Sequence, residues 1–244
     1  MVHAFGSVRV AFTGRPHGDF GLDAPGVDER RARVAGGRAV TWLRQVHGAH
    51  VVCVGAPGDA AGSEADGAVT SAVDAVLSVL TADCAPIVLW SVGGEADRGA
   101  IGIAHAGWKG VRAGLIERVI GVVRSLSAPG ADVHALLGPC IHVECYEFGV
   151  GDLAEISATY GNGVRGLTAT GSPALDLPAA VSAAVSRAGG VSLDPTTVAG
   201  VAGCTACDPG WFSWRARGER ARQAAFVWRE RHPIREESTN RGTA

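Results

Sequence analysis

Nothing in the 244 residues offers a run of about 18 apolar side chains, so no segment is long enough to cross a bilayer as a helix. Met1 to Gly14 also lacks the basic-then-apolar plan of a secretory signal. The expected location is therefore the cytoplasm. Charge of one sign is missing as well: 22 Lys and Arg stand against 24 Asp and Glu, spread along the chain. Without a basic cluster interleaved with aromatics there is no electrostatic footprint for nucleic acid. Internal repeats and Pro- or Ser-rich linkers are absent too. That leaves one domain, residues 1–231, followed by a polar tail, 232–244, expected to be disordered.

What the chain does have is apolar content, 47%, and enough length to bury a sizeable core. It also has six cysteines, Cys53, Cys84, Cys140, Cys145, Cys204 and Cys207. A chain of this size needs no disulfide staples, and in a reduced cytosol such thiols are buried, catalytic or metal-bound.

Short β-branched runs predict strands at 7–12, 39–46, 50–54, 75–81, 86–92, 100–104, 132–138 and 224–229. Asp28 reads as the cap of a short helix ending at Ala35 before Gly36 and Gly37. From Gly110 the apolar residues Val111, Leu115, Val119, Val122, Val123 and Leu126 repeat at helical spacing. Further helices are expected over 151–159 and 178–188, the second with Pro178 in its first turn. Residues 55–67 read as a loop. Strands outnumber helices without regular alternation, so the fold class is α+β, with mixed sheets flanked by helices.

Three polar clusters stand at the ends of apolar runs: Arg44-Gln45-Val46-His47-Gly48, Thr81-Ala82-Asp83-Cys84-Ala85-Pro86, and Ala104-His105-Ala106-Gly107-Trp108-Lys109-Gly110. Strand ends feeding turns are where a rigid scaffold exposes reactive groups. Two imidazoles and a thiolate suit Zn²⁺, and three protein ligands leave a fourth position open. The same residues could instead form a thiolate–imidazolium pair for attack on an acyl carbon. A third reading makes Cys84 a buried small hydrophobe and both histidines partners of backbone groups. Gaps of this length match no short zinc signature, so spacing leaves all three open.

Seven blocks in order resemble a known family: RQVHG (44–48), ADG-x-VT (65–70), TADC-x-PI (81–87), AHAGWKG (104–110), GPCI (138–141), CYEFG (145–149), and CT with FSWR (204–205, 212–215). Together they look like the YfiH-like family, first labelled a multicopper polyphenol oxidase or laccase domain and now treated as purine nucleoside phosphorylases. The resemblance implies zinc held by His47, Cys84 and His105, and phosphorolysis of adenosine, inosine and methylthioadenosine with adenosine deamination besides. It also implies an α+β fold similar to a toxin deamidase domain that uses Cys and His. The partners it implies are a purine nucleoside and phosphate, with no nucleic acid and no membrane.

Within that frame Cys84, His105 and Asp83 are the catalytic candidates. Asp83 is expected to orient an imidazole or move a proton. Arg44 and Lys109 are the phosphate candidates, since guanidinium forks match phosphate oxygens. The family usually carries Arg where this chain has Lys109, which keeps the charge but not the fork. Glu147 is a candidate acid or base, Trp108 is read mainly as packing, and Gly107, Gly138 and Pro139 as loop-shaping. Cys204 and Cys207 form a CxxC outside the family pattern. They read as structural or incidental thiols, because a second zinc there would need two more ligands. The zinc-deaminase signature H-x-E with PCxxC is absent. Eight histidines include no H-x-H pair, which speaks against multicopper oxidation. The rivals to a nucleoside enzyme are a Cys–His hydrolase or amidase of peptidoglycan precursors and a non-catalytic metal-binding regulator.

Overall fold

The computed structural model describes residues 2–93, 99–193 and 203–230. The expected tail, 232–244, lies outside the described residues.

Two mixed sheets stack on a shared core. The first contains β1 (Val2–Phe5), β2 (Val8–Phe12), β3 (Val40–Trp42), β6 (Val76–Thr81) and β13 (Gln223–Arg229), in the order β1-β2-β13-β6-β3. The second contains β4 (Val51–Cys53), β5 (Gly67–Thr70), β7 (Ala85–Val92), β8 (Ile101–Ala106), β9 (Asp132–Leu137) and β12 (Val191–Leu193), in the order β12-β9-β7-β8-β5-β4. β3 pairs with β6 in parallel, as β4 does with β5 and β12 with β9; their other ladders are antiparallel.

The period of two in the strands explains the layering. Leu77, Val79, Ala225 and Val227 of the first sheet meet Val88, Trp90, Ile101 and Ile103 of the second in one buried cluster. The alternate residues Ile87, Leu89, Ala104 and Ala106 face the opposite way. There they pack under α2 (Trp108–Arg112), α3 (Leu115–Leu126), α4 (Val150–Tyr160) and α5 (Leu177–Ala188). The outer face of the first sheet puts Val76, Leu80, Phe226 and Trp228 against Phe20 and Ala35, beside α1 (Val27–Val34). Each fully buried Leu, Ile or Val contributes about 1.5–3 kcal/mol, so these clusters dominate the stabilisation. A hairpin of β10 (Arg165–Leu167) and β11 (Pro173–Leu175), the short α6 (Trp214–Arg217) and three single 3-10 turns, Arg15–His17, Val143–Cys145 and Asn162–Val164, complete the described elements.

The α+β class and the long elements match the sequence reading, with local corrections. The expected helix from Gly110 starts earlier, at Trp108, and is cut at Gly114, whose φ of +79° only glycine adopts easily. The α1 cap is Gly26 rather than Asp28, which sits in the first turn and pairs with Arg31 at 2.8 Å. The strand expected over 39–46 stops at Trp42, because Arg44 leaves the sheet to bridge Glu64. No strand was expected at β1, β5, β10, β11 or β12.

Candidate active site

The three clusters meet where the two sheets join. Thr81 ends β6 in one sheet and Ala85 opens β7 in the other, so the turn Ala82-Asp83-Cys84 crosses between layers. The β7–β8 register pairs Pro86 with His105, which places His105 beside that turn. After β3 ends, the Gln45 amide acts as a substitute peptide group. Its Nε2 donates to the Leu80 carbonyl and its Oε1 accepts from the Leu80 N–H, both at 2.7 Å. That brace holds the following residues, His47 included, over β6.

The result is a His-Cys-His group with ligand atoms all within 4.8 Å of one another. His47 Nε2 lies 3.9 Å from Cys84 Sγ, and the two imidazoles meet edge to face at 4.7 Å. His105 is buried, Cys84 half-buried and His47 exposed.

Asp66, to which no role was assigned from sequence, organises the group. Its carboxylate is fully buried. Oδ1 accepts from His47 N at 2.9 Å and from His105 Nδ1 at 2.8 Å; Oδ2 accepts from Gly48 N at 2.7 Å and Val46 N at 3.2 Å. Three successive backbone N–H groups converge on one anion because His47 takes a φ of +59°, the left-handed geometry of an anion-binding nest. A non-glycine residue there costs on the order of 1 kcal/mol or more, which the carboxylate offsets. Burial alone would raise the Asp66 pKa, but the bonds from His105 and the nest lower it. An ionised carboxylate only accepts, so His105 carries a proton on Nδ1, and Nε2 is the nitrogen left to donate to the Cys84 thiolate or, once deprotonated, to bind a metal ion. That is the carboxylate–imidazole pairing that orients metal-ligating histidines.

The donor set therefore suits a metal ion, and the space between the donors supports the same reading. A Cβ built on Gly107 would lie 3.0 Å from His47 Cδ2 and 3.1 Å from Cys84 Sγ. With a φ of −71°, backbone conformation does not require glycine here; the room beside the donors does. We expect Gly107→Ala to lower metal affinity by at least tenfold at little cost in folding, which titration with a zinc indicator would check.

Asp83 lines the same cavity, but its carboxylate faces away from both imidazoles. Oδ1 accepts from Thr205 Oγ1 and Oδ2 from Arg215 N, each at 2.7 Å. It ties the Cys84 turn, with Asp83 itself at a φ of +93°, to the 204–217 segment. The carboxylate that orients an imidazole is Asp66.

Charge in the cluster is coupled. Burial raises the Cys84 thiol pKa, yet the neighbouring His105 charge and hydrogen bonds from both histidines bring it down to about 6. Burial likewise lowers that of His105, and the Cys84 thiolate with Asp66 raises it to about 9. Metal-free protein should thus alkylate at Cys84 with a rate half-maximal near pH 6, far below the ordinary thiol value of 9.0. Peptide mapping after iodoacetamide treatment checks this. Metal affinity should accordingly fall by roughly tenfold per pH unit below about pH 9, where His105 must give up a proton to bind, and more steeply below about pH 6, where Cys84 is protonated as well.

An open cavity of about 1020 Å³ faces the cluster, in the size range of small-molecule sites. His47, Cys84 and His105 form part of its wall, with Trp108, Tyr146 and Trp214 as aromatic faces. Lys109, Arg215 and Arg220 supply positive charge. Arg215 lies over the Tyr146 ring at 5.1 Å. Thr81 is buried there, and its Oγ1 has no hydrogen-bond partner among the described residues. Arg44 does not line the cavity. It is exposed, and its backbone pairs with Ser63 and Ala65. Glu147 is likewise exposed and outside the lining, its carbonyl accepting from Arg215. Arg215, inside the FSWR block, and Arg220 carry no sequence signal of a cavity role beyond their charge.

A family described as multi-copper polyphenol oxidoreductase laccase matches residues 20–230. The chain belongs to this family, the YfiH family. Proteins named purine nucleoside phosphorylase are among its relatives. One from Mycobacterium bovis is 35% identical over 217 residues, 86% of this chain and 82% of the relative. Another from Streptomyces coelicolor is 35% identical over 190 residues, 78% and 74% of the two chains. The fold is shared with a Neisseria meningitidis protein of the DUF152 family at a TM-score of 0.78 and 23% identity, covering 95% of this chain and 99% of that one. YlmD from Geobacillus stearothermophilus aligns at a TM-score of 0.72 and 25% identity over 93% of each chain. Among the described residues no helix is long and apolar enough to cross a membrane.

Proposed function

We propose that this chain is a zinc-dependent purine nucleoside phosphorylase acting on adenosine, inosine and methylthioadenosine, with adenosine deamination as a second activity. The observation that carries the reading is the convergence of His47, Cys84 and His105 on one wall of a cavity whose other walls offer cations and aromatic faces. Relatives named for this activity support it. Zinc fits two imidazoles and a thiolate better than copper-oxidase chemistry does, since the latter calls for several histidine clusters.

His47, Cys84 and His105 would hold the ion, which supplies Lewis-acid polarisation when bound. Lys109, Arg215 and Arg220 bind and orient inorganic phosphate, offsetting its charge as it approaches C1′ of the ribose. Trp108 and Trp214 give the purine flat apolar faces. In the reaction a phosphate oxygen forms a bond to C1′ while the C1′–N9 bond breaks. The proton that hydrogen phosphate gives up ends on the departing base, and the products are the free base and ribose 1-phosphate, or the 5-methylthio sugar phosphate when methylthioadenosine is the substrate. In deamination, water replaces the 6-amino group and ammonia leaves.

The test is base release from adenosine and inosine with and without inorganic phosphate. Phosphate-dependent release with ribose 1-phosphate as co-product is the expected result. Release of ribose in its place, or no release from any purine nucleoside, overturns the reading.

One observation favours a second reading, a Cys–His hydrolase or amidase acting on peptidoglycan precursors. Cys84 is pulled down to about 6 beside a His105 raised to about 9, as a thiolate–imidazolium nucleophile requires. Chelator-stripped protein that keeps full turnover would favour this alternative.

A further inference from the structure

The CxxC that lacked two ligands in the sequence finds them in the fold. Cys204 and Cys207 sit on one tight turn, closed by bonds from Cys207 N and Asp208 N to the Cys204 carbonyl at 3.1 and 3.0 Å. Facing them is the short turn Val143–Cys145, which carries Glu144 and Cys145. One ligand atom from each of Glu144, Cys145, Cys204 and Cys207 lies within 4.8 Å of all the others. Cys145 Sγ is 3.2 Å from Cys207 Sγ, and all six cysteines are free thiols. Cys204 is buried, and its sulfur accepts the His142 N–H at 3.4 Å. A backbone N–H aimed at sulfur is the kind of contact that stabilises a metal-bound thiolate.

We propose that Cys145, Cys204, Cys207 and Glu144 bind a second divalent ion of the zinc class. Three thiolates select a borderline-soft metal. A zinc–sulfur bond of about 2.3 Å places tetrahedral ligands roughly 3.8 Å apart, a spacing these side chains reach with small rotations. Four protein donors close the coordination shell, the pattern of a structural site rather than a catalytic one. A Cys145–Cys207 disulfide is the competing use of these thiols. It would leave Cys204 and Glu144 without a role, and it requires an oxidant.

The position gives this ion a purpose. It joins the 142–147 loop to the 204–217 segment, and those segments carry Tyr146, Trp214 and Arg215 into the cavity. Thr205, between the two cysteines, donates to Asp83 at 2.7 Å, next to Cys84. Arg217 donates to the Thr205 and Ala206 carbonyls at 3.0 and 2.9 Å. The ion would thus fix one wall of the active cavity without touching substrate.

The experiment is metal analysis of the full chain purified without chelator. Wild type should carry about two zinc equivalents, Cys84→Ser and Cys207→Ser about one each, and the double variant almost none. Cobalt-loaded Cys84→Ser, in which the second cluster is unaltered, should show intense thiolate-to-cobalt absorption in the near ultraviolet that disappears in the double variant. This spectrum reports on the site even if changing Cys207 impairs folding. Metal-free Cys84→Ser, or Cys207→Ser with as much metal as wild type, overturns the proposal. So does a Cys145–Cys207 disulfide found by mass spectrometry in freshly purified protein. None of these readouts depends on nucleoside turnover, so the site stands or falls apart from the proposed activity.

Discussion

Cys84→Ser should reduce phosphate-dependent base release by roughly 10³-fold or more, with the folded state retained. Serine keeps the volume but not the soft anionic donor that zinc prefers. The turn around Cys84 is held by other groups, chiefly the Asp83 bonds to Thr205 and Arg215, so circular dichroism and melting should change little. Activity and metal at the His-Cys-His cluster should disappear together. Loss of activity in a variant that still holds its full metal complement would point to Cys84 as a nucleophile. Stripping wild type with chelator sharpens the contrast: a metal-dependent enzyme stops, whereas a thiol enzyme continues.

Asp66→Asn should damage both stability and activity, although Asp66 touches no substrate. Its four acceptor bonds reach Val46, His47, Gly48 and His105. An amide would turn an NH₂ toward donors on one side and leave buried N–H groups unpaired, at about 1–3 kcal/mol each. His105 would lose the partner that sets its tautomer, an effect worth about 10–100-fold in metal affinity or activity. The pH dependence has a definite sign. The Asp66 pKa is lowered in the folded protein, so its stabilisation is complete above the ordinary carboxylate value of 3.8 and fades as pH falls below it. Asp66→Asn should therefore be less stable than wild type at neutral pH, and the gap should narrow on acidification. Denaturant melts at neutral and acidic pH check this. Equal loss at both would mean that Asp66 acts by shape alone.

These residues also show what the chain reveals before it folds. The strands β6, β7 and β8 are legible because each is a short apolar run bounded by turn residues. α3 is legible because its apolar residues recur at helical spacing. β5 is not, since Gly67-Ala68-Val69-Thr70 follows a glycine-rich loop and shows no alternation; its residues are buried on both faces. The hairpin of β10 and β11 is too short to leave a pattern. Within the site, His47, Cys84 and His105 stand out as reactive groups at strand ends. Asp66 does not, because an acidic residue beside a loop reads as solvated until the fold buries it. The three-cysteine cluster shows the same limit. Cys145 and Cys204 are 59 positions apart, and only the pairing of distant segments brings them within reach.

The most direct test is a crystal structure of zinc-loaded protein with anomalous data at the zinc edge. The account predicts a strong peak at bonding distance from His47, Cys84 and His105, with His105 bound through Nε2 and its Nδ1 still on Asp66. Fully active crystals with no peak there, and with Cys84 sulfur bonded only to a histidine proton, would contradict it.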